Sequence, residues 1–362
     1  MENPRVLRKR WPLFNAPERG QIMERAMAKL HAIAFAALSI VFGFNMEARA
    51  ASALPKVVIG YATLTRMVPF WISDERHFFI KYGVEAEQVF VRNSPILTAA
   101  LVAGGIDVGV IGGNPVLSAA AAGADLKIVA TLSSRTGVDL IARPGIKSAK
   151  ELRGKRVGVQ SIGGTVWLYT IFGLEQLGLD LRRDKILTPI IGEYSILAQA
   201  LETGTIDGVF MSIPAFSQRL NQKGFPILAK LSVPVAGNVL VATSSYLRQR
   251  PEAMENVLKA LMEGLAYVFD PRNKASVLNA LMKHLKIFHP ALVEETYQNL
   301  FKELDRKPYP SLEAMQNIQR IMKVSNPQLE DVNLAALIDN SFIRKLDESG
   351  FIDRVYKSYG GR

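Results

Sequence analysis

The segment Leu97-Thr-Ala-Ala-Leu101-Val-Ala-Gly104-Gly-Ile106-Asp107-Val-Gly-Val-Ile-Gly-Gly-Asn114-Pro115 returns as Leu197-Ala-Gln-Ala-Leu201-Glu-Thr-Gly204-Thr-Ile206-Asp207-Gly-Val-Phe-Met-Ser-Ile-Pro214. Six positions coincide at an offset of 100 residues, and each copy runs into an apolar stretch closed by proline. Self-similarity of this kind marks a duplicated structural unit. In each copy the two leucines stand four residues apart on one helix face, and Gly104 or Gly204 stands where a helix end turns left-handed at little steric cost. The following runs, 106–111 and 206–211, have the length and apolarity of a parallel strand buried on both faces. Ligands of open α/β sheets bind beyond the carboxyl ends of such strands, which makes Gly112-Gly113-Asn114-Pro115 and Ser212-Ile213-Pro214 candidate binding loops.

Working outward, Lys56 to Tyr61 reads as a strand, with Pro69 as the start signal of a helix to about Lys81. Strands follow over 85–91, 126–132 and 138–142. Arg143-Pro144-Gly145 breaks the pattern and is the expected crossing into a second lobe. There the plan restarts: a strand over 155–160, a helix over 166–177, a strand over 186–191, then the second repeat. A strand at 226–231 and the return of 239–242 to the first lobe complete the α/β part. From Pro251 the spacing turns helical, over 251–269, 274–285, 290–304 and 311–322, punctuated by prolines. The expected division is lobe one over 51–142, lobe two over 143–235, and a return to lobe one with C-terminal helices over 236–362.

The N-terminal 50 residues stand apart. A basic lead (Arg5, Arg8, Lys9, Arg10, Arg19, Arg25, Lys29) precedes the apolar run 32–44 and Ala48-Arg49-Ala50, the form of a cleaved secretory signal. The run falls short of the ~20 apolar residues that a membrane span needs. Met1, Met23 and Met27 are the alternative translation starts. Without this segment's eight Lys/Arg and four Asp/Glu, the remainder holds 36 basic residues against 29 acidic, a net +7 with no dense basic tract. That balance suits solubility and mild attraction for anions, and argues against nucleic acid as a partner. The absence of cysteine removes disulfides and thiol chemistry, and the four histidines have no metal-ligand spacing. Neither a cofactor motif nor a nucleophile-base set emerges.

Gly163-Gly164-Thr165 follows a strand and opens a helix. It reads equally as an anion cradle at a helix N-terminus and as a plain turn with Thr165 as cap. Phe70 and Trp71 can stack on a ligand, although aromatics at a helix start more commonly belong to the core. Asp107 and Asp207 read as turn-capping carboxylates, and Lys283-His284 as a solvated helix face.

Lys56-Val-Val-Ile-Gly-Tyr, Phe78-Phe79-Ile-Lys-Tyr82-Gly83-Val84, Ala120-Ala-Ala-Gly123-Ala-Asp125-Leu126 and Leu152-Arg-Gly154-Lys155-Arg-Val157-Gly158-Val159, with the repeat itself, resemble the solute-binding proteins of nitrate/sulfonate/taurine-type ABC importers over about residues 55–245. The resemblance implies an α/β protein of the two-lobed, type II periplasmic-binding-protein fold, each lobe a Rossmann-like open sheet, with a helical C-terminal extension. It also implies a periplasmic, monomeric, non-catalytic protein that traps a small, anionic organic or oxyanion ligand and hands it to an ABC permease and ATPase. Carried over by position, ligand contacts are Thr63, Thr65, Asn93, Ser94, Gly113, Asn114, Ser133, Ser134, Gly163, Gly164, Thr165, Met211, Ser212, Gly237 and Asn238. Sulfonate and taurine members carry Trp-Asp-Pro where this chain has Ser212-Ile213-Pro214, so a carboxylate for an amino group is missing. A ligand sensor without transport is the alternative. A same-fold enzyme of pyrimidine synthesis would rely on a cysteine-rich motif that this chain lacks.

Overall fold

A computed structural model describes residues 54–62, 64–91, 94–286 and 288–360. The expected signal segment lies outside them. The chain opens with β1 (Lys56–Tyr61), α1 (Val68–Glu75), β2 (Glu85–Phe90), α2 (Ser94–Val102), β3 (Val108–Ile111), α3 (Gly113–Ala121) and β4 (Leu126–Ser133). It continues through β5 (Thr136–Ala142), β6 (Val157–Gly158), α4 (Thr165–Gln176), α5 (Tyr194–Glu202), β7 (Gly208–Met211), α6 (Pro214–Gln222), β8 (Ile227–Val233) and β9 (Asn238–Thr243). The helical tail contains α7 (Pro251–Phe269), α8 (Lys274–Leu285), α9 (Pro290–Glu303), α10 (Leu312–Met322), α11 (Ser341–Glu348) and α12 (Phe351–Ser358).

Two sheets result, ordered β2-β1-β3-β9-β4 and β6-β7-β5-β8. Strands β1, β2 and β3 are parallel, and β9 returns antiparallel between β3 and β4. The first crossing differs from expectation. Strand β5 pairs antiparallel with β7 and β8, so it belongs to the second sheet, and the chain crosses at Ser134-Arg135. Apolar alternation finds a strand but not its sheet, which is why Arg143-Pro144-Gly145 looked like the junction. Residues 186–191 run parallel beside β6 through the pairs Arg156 with Leu187 and Val159 with Ile190. Pro189 supplies no N–H, so this ladder stays a pair of bridges. The helix expected to reach Lys81 breaks at His77, whose φ is 57°. The break turns Phe78 and Phe79 into the core beneath α7.

The repeat folds alike in both copies. Gly104 and Gly204 have φ of 78° and 77°. Asp107 Oδ2 accepts the Val58 N–H at 2.8 Å, and Asp207 Oδ2 accepts the Arg156 N–H at 3.0 Å. Each carboxylate thus satisfies a backbone donor of the neighbouring strand, the structural role expected of it. Gly60 and Gly158 lie under the repeat's own side chains: a Cβ on Gly60 would meet Leu97 and Ile106, and one on Gly158 would come within 2.6 Å of Ile206 Cδ1.

The tail does more than cover lobe one. α10 packs on α3 of lobe one and α4 of lobe two, while α9 touches the 65–67 turn, β5 and α6. One continuous apolar cluster accordingly includes Leu117 from lobe one, Phe172 from lobe two and Met315 from α10. Arg320 pairs with Glu175 of α4 at 2.9 Å, and Lys230 of β8 lies 3.6 Å from Glu295. No helix among the described residues is long and apolar enough to cross a membrane.

Candidate functional site

The carboxyl ends of the two sets of parallel strands meet at Asn114, the second residue of α3. Its Nδ2 donates to the Gly163 carbonyl at 3.2 Å, and its Oδ1 accepts from Thr165 Oγ1 at 3.4 Å. Gly163 can present this carbonyl because its φ is 74°, a conformation that a side chain would strain. Gly164 caps α4 with its N–H turned back on the Ser161 carbonyl at 3.2 Å, and Thr165 is the first helical residue, not the cap. The loop therefore joins the lobes, and its Gly164 N–H is already engaged.

The cation of the cleft is one the sequence did not single out. Arg66 follows β1 in the 65–67 turn and is 7 % exposed. Its Nη2 lies 2.7 Å from Glu303 Oε2 at the end of α9, while its Nε has no hydrogen-bond partner. Glu303 Oε1 also accepts the Gly137 N–H at 3.2 Å, which ties α9 to the first crossing. The positive charge of Arg66 favours ionisation of the Tyr169 and Tyr194 phenols in lobe two. Burial outweighs it and pushes both phenols up, so they stay neutral donors at physiological pH. The Tyr194 hydroxyl shares a hydrogen bond of 2.8 Å with Ser212 Oγ, and Tyr169 lies beside Ser212 and Thr136. Asn238 Oδ1, buried at the return crossing, has no partner. Buried polar atoms of folded proteins are nearly always satisfied, which makes Arg66 Nε and Asn238 Oδ1 atoms that can take a further partner.

The expected contacts separate into four groups. Ser212, Asn114, Gly163, Gly164, Thr165 and Asn238 lie at the cleft or the crossings, as do Ser133, whose Oγ donates to the Arg135 carbonyl, and Gly237, whose N–H donates to the Ser133 carbonyl at 3.1 Å. Ser134 binds Asp305 through its N–H at 2.9 Å, holding the tail to the crossing. Thr65 and Ser94 stand half-buried at the ends of β1 and β2. Thr63 and Asn93 lie outside the described residues.

The remaining candidates are core. Phe70 is fully buried and stacked on Phe79, so it cannot meet a ligand. Trp71 lies under His284 with ring centroids 4.3 Å apart, which makes His284 a cover for the core where a solvated residue was expected. Met211 is buried among lobe-two aliphatics, and Gly113 faces Met315 and Ile318 of α10. Arg66, Tyr169, Tyr194, Thr136 and Glu303 were missed. An arginine inside the apolar stretch 64–72 was the one available signal for Arg66.

The NMT1-like family model matches residues 50–282. The chain belongs to the NMT1-like family. A Brucella abortus protein, provisionally named a binding protein, is 27% identical to this NMT1-like chain over 266 residues, 70% of this chain and 78% of that one. Among solved structures, the periplasmic aliphatic sulphonate binding protein of Escherichia coli is similar at a TM-score of 0.64, with 21% identity over 80% of this chain and 99% of that one. The periplasmic nitrate-binding protein of Synechocystis gives a TM-score of 0.64 at 16% identity, over 85% of this chain and 92% of its own. These likenesses establish the periplasmic-binding-protein fold for the NMT1-like chain.

Proposed function

We propose that this protein is the solute receptor of an ABC import system: it closes two lobes on one small acidic solute, turns nothing over, and presents the solute to a membrane permease and its ATPase. Arg66 is the observation that carries this reading. A guanidinium does not deprotonate in proteins, and a buried donor left without a partner costs about 1–3 kcal/mol, which an acidic ligand would recover. The neighbouring phenols and Ser212 supply further donors. In this reading the anion sits against Arg66, and the Gly163-Gly164-Thr165 loop acts as a seam between the lobes. Export through cleavage after Ala50, a periplasmic location and a monomeric state belong to the same proposal. The likeness to sulphonate- and nitrate-binding proteins supports an acidic solute.

The test is a thermal-shift screen over sulfonates, nitrate, carboxylates and pyrimidines. A true ligand stabilises the folded protein by about 2.7 kcal/mol at a hundredfold excess over Kd. A ligand consumed by the pure protein would make it an enzyme, and stabilisation by neutral pyrimidines alone would remove the acid from the reading.

A further inference from the structure

Lobe two ends in a basic pole. Strands β6 and β7 run parallel and begin at Val157 and Gly208, so their amino ends lie opposite the Gly163 loop. Two stretches of chain, 143–156 and 180–187, meet at those amino ends. The Gly154 N–H donates to the Asp184 carbonyl at 2.9 Å, and the Leu187 N–H donates to the Lys155 carbonyl at 2.9 Å. Leu152 packs at the entry to β7, where a Cβ on Gly208 would come within 3.1 Å of its Cδ2. With Asp207 the pole holds nine Lys/Arg against four Asp/Glu, a net +5 out of the +7 carried by residues 51–362. Neither stretch is dense in cations by itself, and the fold joins the two.

The acids of this pole are already engaged. Asp184 holds Arg153 at 2.9 Å and Arg183 at 2.8 Å, and Asp207 holds Arg156 at 2.9 Å and Arg143 at 3.5 Å. Asp180 accepts the N–H groups of Arg182 and Arg183, and Glu151 accepts the Lys147 N–H and the Ser148 hydroxyl. Lys147, Lys150, Lys155 and Lys185 are exposed, and none of them has an ion pair. Elsewhere among the described residues ten lysines pair with a carboxylate. Leu187, bonded to Lys155 and two residues past Lys185, is 59 % exposed. A single unpaired lysine on a surface is ordinary. All four at one pole, beside an exposed leucine, in a protein that pairs most of its other lysines, call for a negative partner.

We infer that this pole docks on an anionic phospholipid surface, with the four lysines over the headgroups and Leu187 entering the boundary beneath them. Recognition of one discrete phosphate suits the forked guanidinium, and four of the five arginines here already hold carboxylates. Lysines carry mobile point charges on long apolar stems, which match a diffuse layer of negative charge. An exposed leucine among them has a place in a bilayer boundary and none on a soluble polyanion. Each lysine close to an anionic surface strengthens binding about fivefold. The pole lies at the strand ends opposite the Gly163 loop, so the inference goes beyond the receptor reading and does not depend on it.

Flotation of the full chain with vesicles of equal parts phosphatidylglycerol and phosphatidylcholine tests this. Wild-type protein should float with these vesicles and stay behind with pure phosphatidylcholine. It should come off as salt rises from about 0.1 M to about 1 M, where the screening length falls from about 10 Å to about 3 Å. Lys147→Gln/Lys150→Gln/Lys155→Gln/Lys185→Gln should weaken binding at least about a hundredfold. Its thermal unfolding should not change, since those side chains hold no ion pair. Residues 1–50 are common to wild type and variant, so a difference between them belongs to the pole. Leu187→Ser should weaken binding about fivefold and leave its salt dependence. Full binding by the lysine variant, or equal binding to pure phosphatidylcholine, would overturn the inference. Polyphosphate binding as tightly as the vesicles, with Leu187→Ser affecting neither, would make the partner a soluble polyanion and overturn it as well. The ligand screen repeated on the lysine variant reads the receptor function separately.

Discussion

Replacing Arg66 by Met separates its two tasks, holding Glu303 and holding a ligand. In the folded protein Arg66 and Glu303 are 2.7 Å apart, with side chains only 8% and 15% exposed. Removing one partner of a buried pair costs roughly 3–5 kcal/mol, because the other charge is left uncompensated. Glu303 keeps the Gly137 N–H and some water contact, which places the loss near the lower end, about 3 kcal/mol. Arg66→Met/Glu303→Gln leaves no stranded charge and should recover most of that stability. Affinity follows a different course. A hydrogen bond to a charged group contributes about 1.5–3 kcal/mol, so the single variant should bind an acidic ligand at least about tenfold more weakly, and more so because Glu303 then faces the anion alone. The double variant removes that repulsion but not the missing cation, and its affinity should stay low. Urea denaturation reads the first quantity and calorimetry the second. Wild-type affinity in the folded double variant would refute the reasoning, since Arg66 would then serve only to neutralise Glu303.

Asp207, beside the Arg156 guanidinium, has its carboxyl held down to about 2. A depressed carboxyl stabilises the fold above its unfolded value near 3.8 and loses that contribution as pH falls towards 2, so acid titration should show a loss of about 2 kcal/mol that Asp207→Asn lacks. Gly158→Ala should destabilise by about 1–3 kcal/mol in urea, because its Cβ overlaps Ile206 and Leu197, and Gly60→Ala should do the same in lobe one. Arg320→Ala removes the pair with Glu175 and the guanidinium 5.4 Å above the Phe172 ring, both between the tail and lobe two. Since both partners of that pair are about half exposed, the cost should stay at or below about 1 kcal/mol by thermal unfolding.

Much of the architecture was legible because its determinants are local. The i, i+4 leucines, the glycines at the helix ends and the apolar strand runs are set by backbone sterics and by periodicity, and they recur at a readable offset. Asp107 and Asp207 were readable as structural for the same reason: each stands at a strand entry, where a backbone donor needs a partner. The family resemblance drew on these segments, and with them it led to the two-lobed fold.

The assembly of distant parts was decided in three dimensions. Strand β5 has the pattern of a strand whichever sheet receives it, and only its hydrogen bonds to β7 and β8 move the crossing to Ser134-Arg135. Phe70 and Trp71 look like ligand platforms until α8 lays His284 over one and Phe79 stacks on the other. Arg66 gains its meaning from Glu303, 237 residues away in sequence, and from two phenols in the opposite lobe. Secondary structure and the duplicated plan follow from short-range sterics and hydrophobic period, which the sequence by itself determined. The charge and hydrogen-bond balance of the cleft depends on which remote groups are desolvated together, and only the tertiary structure decided that.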